Sequence, residues 1–284
     1  MAELRAPGGT SGRTTRLGRP AVAEADNLGV LQDLVGTWHG NNGWELIAVP
    51  DPGSEFRVIA RPVFEVLTFS AIGAPVPNRG VPNDMCIYGL LYETRISDAQ
   101  THEPLHIENG MWLNLGPEGG DLPIARQACI PHGDVFLALG TATTIDGPPK
   151  IPDEDANPIL TSLRPGYTEG EGKYVHPPIP EQLDYTHWTA SLQEAIAGLD
   201  IARTVELSLS TESSGGIVNI PFVDAQANAT SFTCTFWIET IAGPSGEEVQ
   251  QLQYMQQTNI AFLKQEDGTL LVWPHVNSNT LRKQ

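Results

Sequence analysis

From Trp38 to the C-terminus, short apolar or alternating runs follow one another at the spacing of β-strands. They are Phe56–Ala60, Val63–Ser70, Met85–Tyr92, Leu105–Asn114, Ile124–Ile130 and Asp134–Thr144, then Arg203–Ser210, Gly216–Pro221, Ala229–Glu239, Val249–Leu263 and Thr269–Trp273. Successive side chains of a strand point to opposite faces, so a half-buried strand reads as alternation. Pro, Gly, Asn and Asp clusters (DPGS, APVPNRG, SDAQTHEP, GPEGGD, PHGD) separate the runs as turns do. Glu266-Asp267-Gly268-Thr269 holds a compact Asp-Gly hairpin turn. About ten short strands with few helices argue for a closed barrel or a sandwich. The reading adopted is a mainly β protein built as a closed antiparallel barrel.

Two stretches break the rhythm. Ala23–Val35 places Leu28, Leu31, Leu34 and Val35 on one face at helical spacing and predicts a short helix across one end of the barrel. Before it, residues 1–22 are rich in Gly, Thr and Arg and read as a disordered tail. The interval Ile145–Leu199 is dense in Pro, Gly and acid before ending in a helical pattern with Trp188, Leu192, Ala195, Ile196 and Leu199 on one side. It reads as an insertion (145–199) carried on loops of one domain spanning 23–284. Its role stays open between a lid, a subunit contact and a plain surface excursion.

Composition narrows the partners. The chain has 284 residues, 40% hydrophobic and 18% charged, with 34 acidic against 16 basic side chains and a formal charge of −18. Such a surface repels phosphate backbones and anionic lipid heads, so neither nucleic acid nor membrane is an expected partner. No apolar run reaches the roughly 18 residues of a spanning helix. Cys86, Cys129 and Cys234 are far apart, lack any CxxC spacing and sit in apolar surroundings (MCIYGLLY, QACI, FTCTFW). They read as small buried hydrophobes, compatible with a reducing, cytoplasmic setting. A GxSxG elbow, a Walker loop, HExxH and a strand-linked GxGxxG are all missing.

Four segments, in order, resemble the nitrobindin-like haem-binding β-barrels, relatives of the lipocalin and fatty-acid-binding barrels. Gly36-Thr37-Trp38-His39-Gly40-Asn41-Asn42-Gly43 is similar to their GxWxGxG opening, and Leu105-His106-Ile107-Glu108-Asn109-Gly110-Met111-Trp112 to their LHxExGxWR strand. Ile130-Pro131-His132-Gly133-Asp134 resembles their Pro-x-Gly hairpin, and Leu252–Met255 with Pro274–Lys283 their two C-terminal strands. The chain departs from the pattern at Asn41-Asn42, at Leu113 where the family has Arg, at Pro274 and in the insertion. The resemblance implies a lipocalin-like barrel that holds haem or another small apolar molecule, with His275 matching the axial ligand and so the metal-binding residue. It also implies reactivity toward nitric oxide, peroxynitrite or peroxide. Trp38, Asn42, Trp44 and Trp112 would line the cofactor pocket.

The residues themselves leave further readings open. His106 and Glu108 are two apart on a strand and share a face, as an acid/base pair, part of a metal site or a polar latch. In the WHGNNGW segment, Asn41 or Asn42 offers a ligand hydrogen bond beside permissive glycines. On 253–257, alternation puts Gln253, Met255 and Gln257 on one side and Tyr254 with Gln256 on the other. His132 in its PHGD turn reads as structural. The competing function is a cofactor-free enzyme (an isomerase, cyclase or lyase for a hydrophobic small molecule) with His106, Glu108 and Tyr254 as catalytic groups. A third reading, an interaction module or homo-oligomer, rests on the acidic insertion.

Overall fold

The computed structural model describes residues 27–51, 54–154, 156, 174–175, 187–243, 246–264 and 270–284. The strands are β1 (Gly36–Asp51), β2 (Ser54–Ala71), β3 (Val76–Asn78), β4 (Met85–Asp98), β5 (Pro104–Asn114), β6 (Ile124–Ile130), β7 (Asp134–Asp146), β8 (Tyr174–Val175), β9 (Ile201–Asn219), β10 (Ala227–Ala242), β11 (Glu248–Lys264) and β12 (Leu270–Lys283). Ten of them run β1-β2-β4-β5-β6-β7-β9-β10-β11-β12 and return to β1, every neighbour antiparallel. This is an up-and-down barrel whose first and last strands pair, so no long edge is left exposed. β3 and the two-residue β8 are short additions on β4 and β2.

Several strands are longer than alternation predicts, and bulges explain why. Phe56–Ala60 and Val63–Ser70 are one strand, β2, because Pro62 sits opposite Trp44 beside a register shift of β1. Proline is tolerated where the ladder is already irregular. Arg203–Ser210 and Gly216–Pro221 likewise merge into β9, whose pairing with β7 skips from Ser210 to Gly215. β12 continues through Pro274 to Lys283. The Asp-Gly turn at 266–269 and the tail at 1–22 lie outside the described residues.

One end of the barrel is plugged. Of the predicted helix Ala23–Val35, the described part is helical from Asn27 and includes a 3-10 helix, Gly29–Leu34, whose Leu31 and Leu34 are buried over the barrel floor. Trp38 lies beneath them and donates from Nε1 to Leu34 O at 2.7 Å. A continuous core then runs up the interior through Leu67, Phe69, Leu90, Trp112, Leu207 and Phe236.

The described parts of the insertion lie against the outer wall. Helix α1 (Ala190–Ile196) buries Leu192 on Trp237 and Ile151, and Gln253 Nε2 donates to Leu192 O at 3.0 Å. Thr189 Oγ1 donates to Pro152 O at 2.7 Å and ties the two ends of the insertion together. A second short helix, α2 (Pro221–Gln226), links β9 to β10. Cys234 is buried as expected, but Cys86 and Cys129 are exposed. In β6 the inward phase belongs to Arg126 and Ala128, which turns Cys129 outward.

Candidate functional site

A bulge in the first strand decides what lines the barrel's open end. Register is lost between His39 and Trp44, where Gly43 packs against Ser278 O so closely that a side chain would clash. Before the bulge Trp38 points in; after it Glu45, Ile47 and Val49 do, and Trp44 points out. A shift of one residue exchanges the two faces of a strand. At the opposite end from the plug, these residues border a cavity of about 410 Å³. Its walls are mainly aliphatic, with Ile59, Ile96, Leu105, Ile217 and Ile260 among them. Phe136 and Phe232, stacked at 4.2 Å between centroids, also border it.

Below the cavity is a buried polar layer centred on Arg126. Its guanidinium lies 5.2–5.5 Å from the ring centroids of Tyr92, Trp112, Phe136, Phe232 and Phe236. Nη2 donates to Glu108 Oε1 at 2.6 Å, Nε to the Tyr92 hydroxyl at 3.1 Å, and Nη1 to Gln256 Oε1 at 3.3 Å. The Tyr92 hydroxyl in turn donates to Glu108. Burial pushes the Glu108 carboxyl up, but the charge of Arg126 and the bonds from His106 and Tyr92 outweigh it and hold the group at about 2. Glu108 is therefore an anion at neutral pH, fully paired with a cation that burial would otherwise forbid.

A second buried layer surrounds Glu65. Thr94 Oγ1 donates to its Oε1 at 2.7 Å and Asn279 Nδ2 to its Oε2 at 3.0 Å. The Tyr254 hydroxyl lies 2.6 Å from both Glu65 Oε2 and Asn277 Oδ1. Among the described residues no arginine or lysine bonds to this carboxyl, and burial pushes it up despite those bonds.

Three imidazoles rim the cavity: His106, His132 and His275. His106 Nε2 is 3.3 Å from Glu108 Oε2, and its ring centroid is 5.8 Å from that of His132. Burial lowers His132, and the neighbouring His106 adds to this, so it is neutral at pH 7. His275 Nε2 is 3.4 Å from Glu45 Oε1. Burial pushes Glu45 up, but the His275 imidazole beside it, with His106 and Arg61 further off, holds the carboxyl below its usual range. Among the described residues, no group of three or more His, Cys, Asp or Glu side chains is arranged to hold a metal ion.

The structure brings together His106, Glu108 and His275 and separates the other residues the sequence singles out. Trp38 is at the plugged end, and Trp112 lies under the floor against Arg126 and Phe236. Asn42 is exposed on the bulge. Trp44 packs outside, against the cluster that holds Leu46, Trp188 and Val276. Tyr254 points inward on the same side as Gln256, the pairing alternation predicts, but it is stacked on Phe236 below the cavity and bonded to Glu65. None of these five borders the cavity. The described part of the insertion contributes nothing to it either, so the lid reading finds no support among those residues. Arg126, Glu45 and Arg61 are the groups that sequence reasoning missed. An arginine inside the apolar run IARQACI was the available signal, since an inward charge there demands a partner.

Fold and site define a closed ten-stranded antiparallel barrel, plugged at one end, with an apolar cavity rimmed by histidines at the other. Such a barrel is compatible with binding a small hydrophobic ligand. No protein-family model matches the chain, and no curated protein matches it. Among solved structures, the crystal structure of Rv2717c from M. tuberculosis is similar in outline, at a TM-score of 0.48 and 16% identity, covering 94% of this chain and 99% of that one. At that level the likeness speaks to neither ligand nor chemistry. No helix among the described residues is long and apolar enough to cross a membrane.

Proposed function

We propose that this protein is a nitrobindin-like ligand-binding barrel that holds a flat, mainly apolar molecule in the cavity of its open end, and that the guest is haem. The observation that carries the reading is His275, on the last strand, presenting an imidazole to a cavity whose walls are mostly aliphatic. An imidazole ligand in an apolar, water-poor pocket is a common way to hold haem iron. The donor chemistry fits: Glu45, held as an anion beside His275, accepts a hydrogen bond from an imidazole and orients it. Arg61, which also borders the cavity, supplies a cation for a propionate. Haem bound there would supply a redox-active iron for reaction with nitric oxide, peroxynitrite or peroxide. The protein's own part is to hold His275, exclude water with its aliphatic walls, and keep His106 and His132 at the same rim.

Titration of the purified protein with hemin tests this. The expected outcome is stoichiometric uptake with a Soret band, lost or strongly shifted in His275→Ala. A protein that takes up no hemin, or a His275→Ala variant with an unchanged band, overturns the haem reading.

A further inference from the structure

Two side chains bordering the cavity are oriented by one buried cation. Arg126 occupies Gln256 Oε1 with Nη1 and Glu108 Oε1 with Nη2. With its carbonyl oxygen taken, Gln256 is left with its amide nitrogen, and so two N–H donors, for the cavity it lines. Glu108, ionised by the same arginine, can only accept a hydrogen bond. The proton shared at 3.3 Å between Glu108 Oε2 and His106 therefore resides on Nε2. In the neutral imidazole that tautomer carries the lone pair on Nδ1, for which no hydrogen bond is found among the described residues. Arg126 itself is sealed under five aromatic rings and does not border the cavity. One buried ion pair thus sets a free base and a free donor on the walls of an aliphatic hollow.

We propose that the same cavity, when haem does not occupy it, is an enolisation site for a mainly aliphatic guest that carries a carbonyl group. His106 Nδ1 is the general base, and the Gln256 amide is the donor to the carbonyl oxygen. The step balances within the protein and guest. The C–H bond next to the carbonyl breaks, its proton forms an N–H bond at Nδ1, and its electron pair moves through the new C=C bond onto oxygen. Gln256 Nε2 donates to that oxygen as its charge grows. The imidazolium is stabilised by the Glu108 carboxylate and returns the proton to carbon, at the same atom or at the far end of a conjugated system. The net reaction is exchange or isomerisation, with no oxidant and no group transfer. Glu108 and Arg126 touch no reacting atom and are positioning residues. The assignment stands independently of haem.

Deuterium uptake by 2-nonanone in D2O, followed by mass spectrometry on the full chain without added hemin, tests the proposal. Wild type is expected to accelerate exchange at the positions flanking the carbonyl. His106→Gln is expected to lose on the order of 10²-fold of the protein-dependent rate, the usual worth of a positioned base. Added imidazole should restore part of it. Gln256→Leu is expected to lose a similar factor. Glu108→Gln should lower kcat with KM unchanged; if that variant fails to fold, His106→Gln and its imidazole rescue decide alone, because His106 lies on the rim. Exchange in wild type no faster than in His106→Gln, or no restoration by imidazole, overturns the proposal. A protein that takes up no hemin yet catalyses exchange supports it while ending the haem reading, and one that takes up hemin but shows no exchange in its absence does the reverse.

Discussion

The two halves of the barrel interior are built from the same ten strands, yet they treat polar groups in opposite ways. In the plugged half every charge is consumed. Arg126 is bonded to Glu108, Tyr92 and Gln256, and Glu65 takes bonds from Thr94, Asn279 and Tyr254. Aromatic rings fill what remains, with Phe236 stacked on Tyr254 and set edge-on to Trp112 at centroid distances of 5.1 and 5.0 Å. In the open half the polar groups are held on one side only and face an aliphatic hollow on the other. The contrast teaches how to sort buried polar residues. A group whose hydrogen-bonding capacity is exhausted by the protein is structural, and one with capacity left beside an apolar void is a candidate for binding or chemistry.

Breaking the plugged half should cost the most. Glu108→Ala leaves the Arg126 cation buried without its anion and should destabilise the fold by about 3–5 kcal/mol. Urea denaturation checks this, and a midpoint unchanged from wild type would mean that the pair is not the centre of that half.

Two buried carboxyls, one inside the barrel and one on its outer face, predict how stability varies with pH. Glu108 is held at about 2 in the fold, against an ordinary glutamate's 4.5. Its contribution is therefore present above 4.5 and is lost as pH falls from there toward 2, an effect of roughly 3 kcal/mol. Glu239, which accepts from Gln251 Nε2 at 2.6 Å, behaves oppositely. Burial raises it to about 7, so its contribution is complete below 4.5 and is lost as pH rises through 7. Denaturation midpoints should peak near pH 4–5 and decline on both sides, and Glu239→Gln should flatten the neutral limb. A midpoint that climbs steadily to pH 8 would contradict the Glu239 assignment, and one that stays level between pH 2 and 4.5 would contradict that of Glu108.

Much of this arrangement was legible in the sequence, and what was not has local causes. Alternation placed His106 with Glu108 on one face of β5, and Tyr254 with Gln256 on one face of β11, and both hold. It failed at Asn41-Asn42, because the bulge there reverses the phase of β1 and carries Trp44 out of the barrel. Bulges are set by pairing with a neighbour, which a single strand's pattern does not record. Tyr254 is a catalytic candidate in the sequence as a polar group on a strand face that could line a cavity. Direction alone does not tell depth, and it lies below the cavity, beside Glu65 from a strand 189 residues away in sequence. Arg126 escaped for a related reason: its run looks like an apolar strand until the register sets it opposite Trp112, with Glu108 beyond.

The smallest expected change in stability accompanies the most direct test. Ala229 lines the hollow, and a larger side chain there grows into open space instead of packed core. In Ala229→Trp the thermal midpoint should stay within about 4 °C of wild type, the shift expected for 1 kcal/mol in a domain of this size. Titration with Nile red, a neutral apolar dye, reads the hollow itself. The account predicts that wild type takes up one dye with blue-shifted emission and that Ala229→Trp takes up none. Equal binding by the two proteins, or none by wild type, would contradict a ligand cavity at the open end.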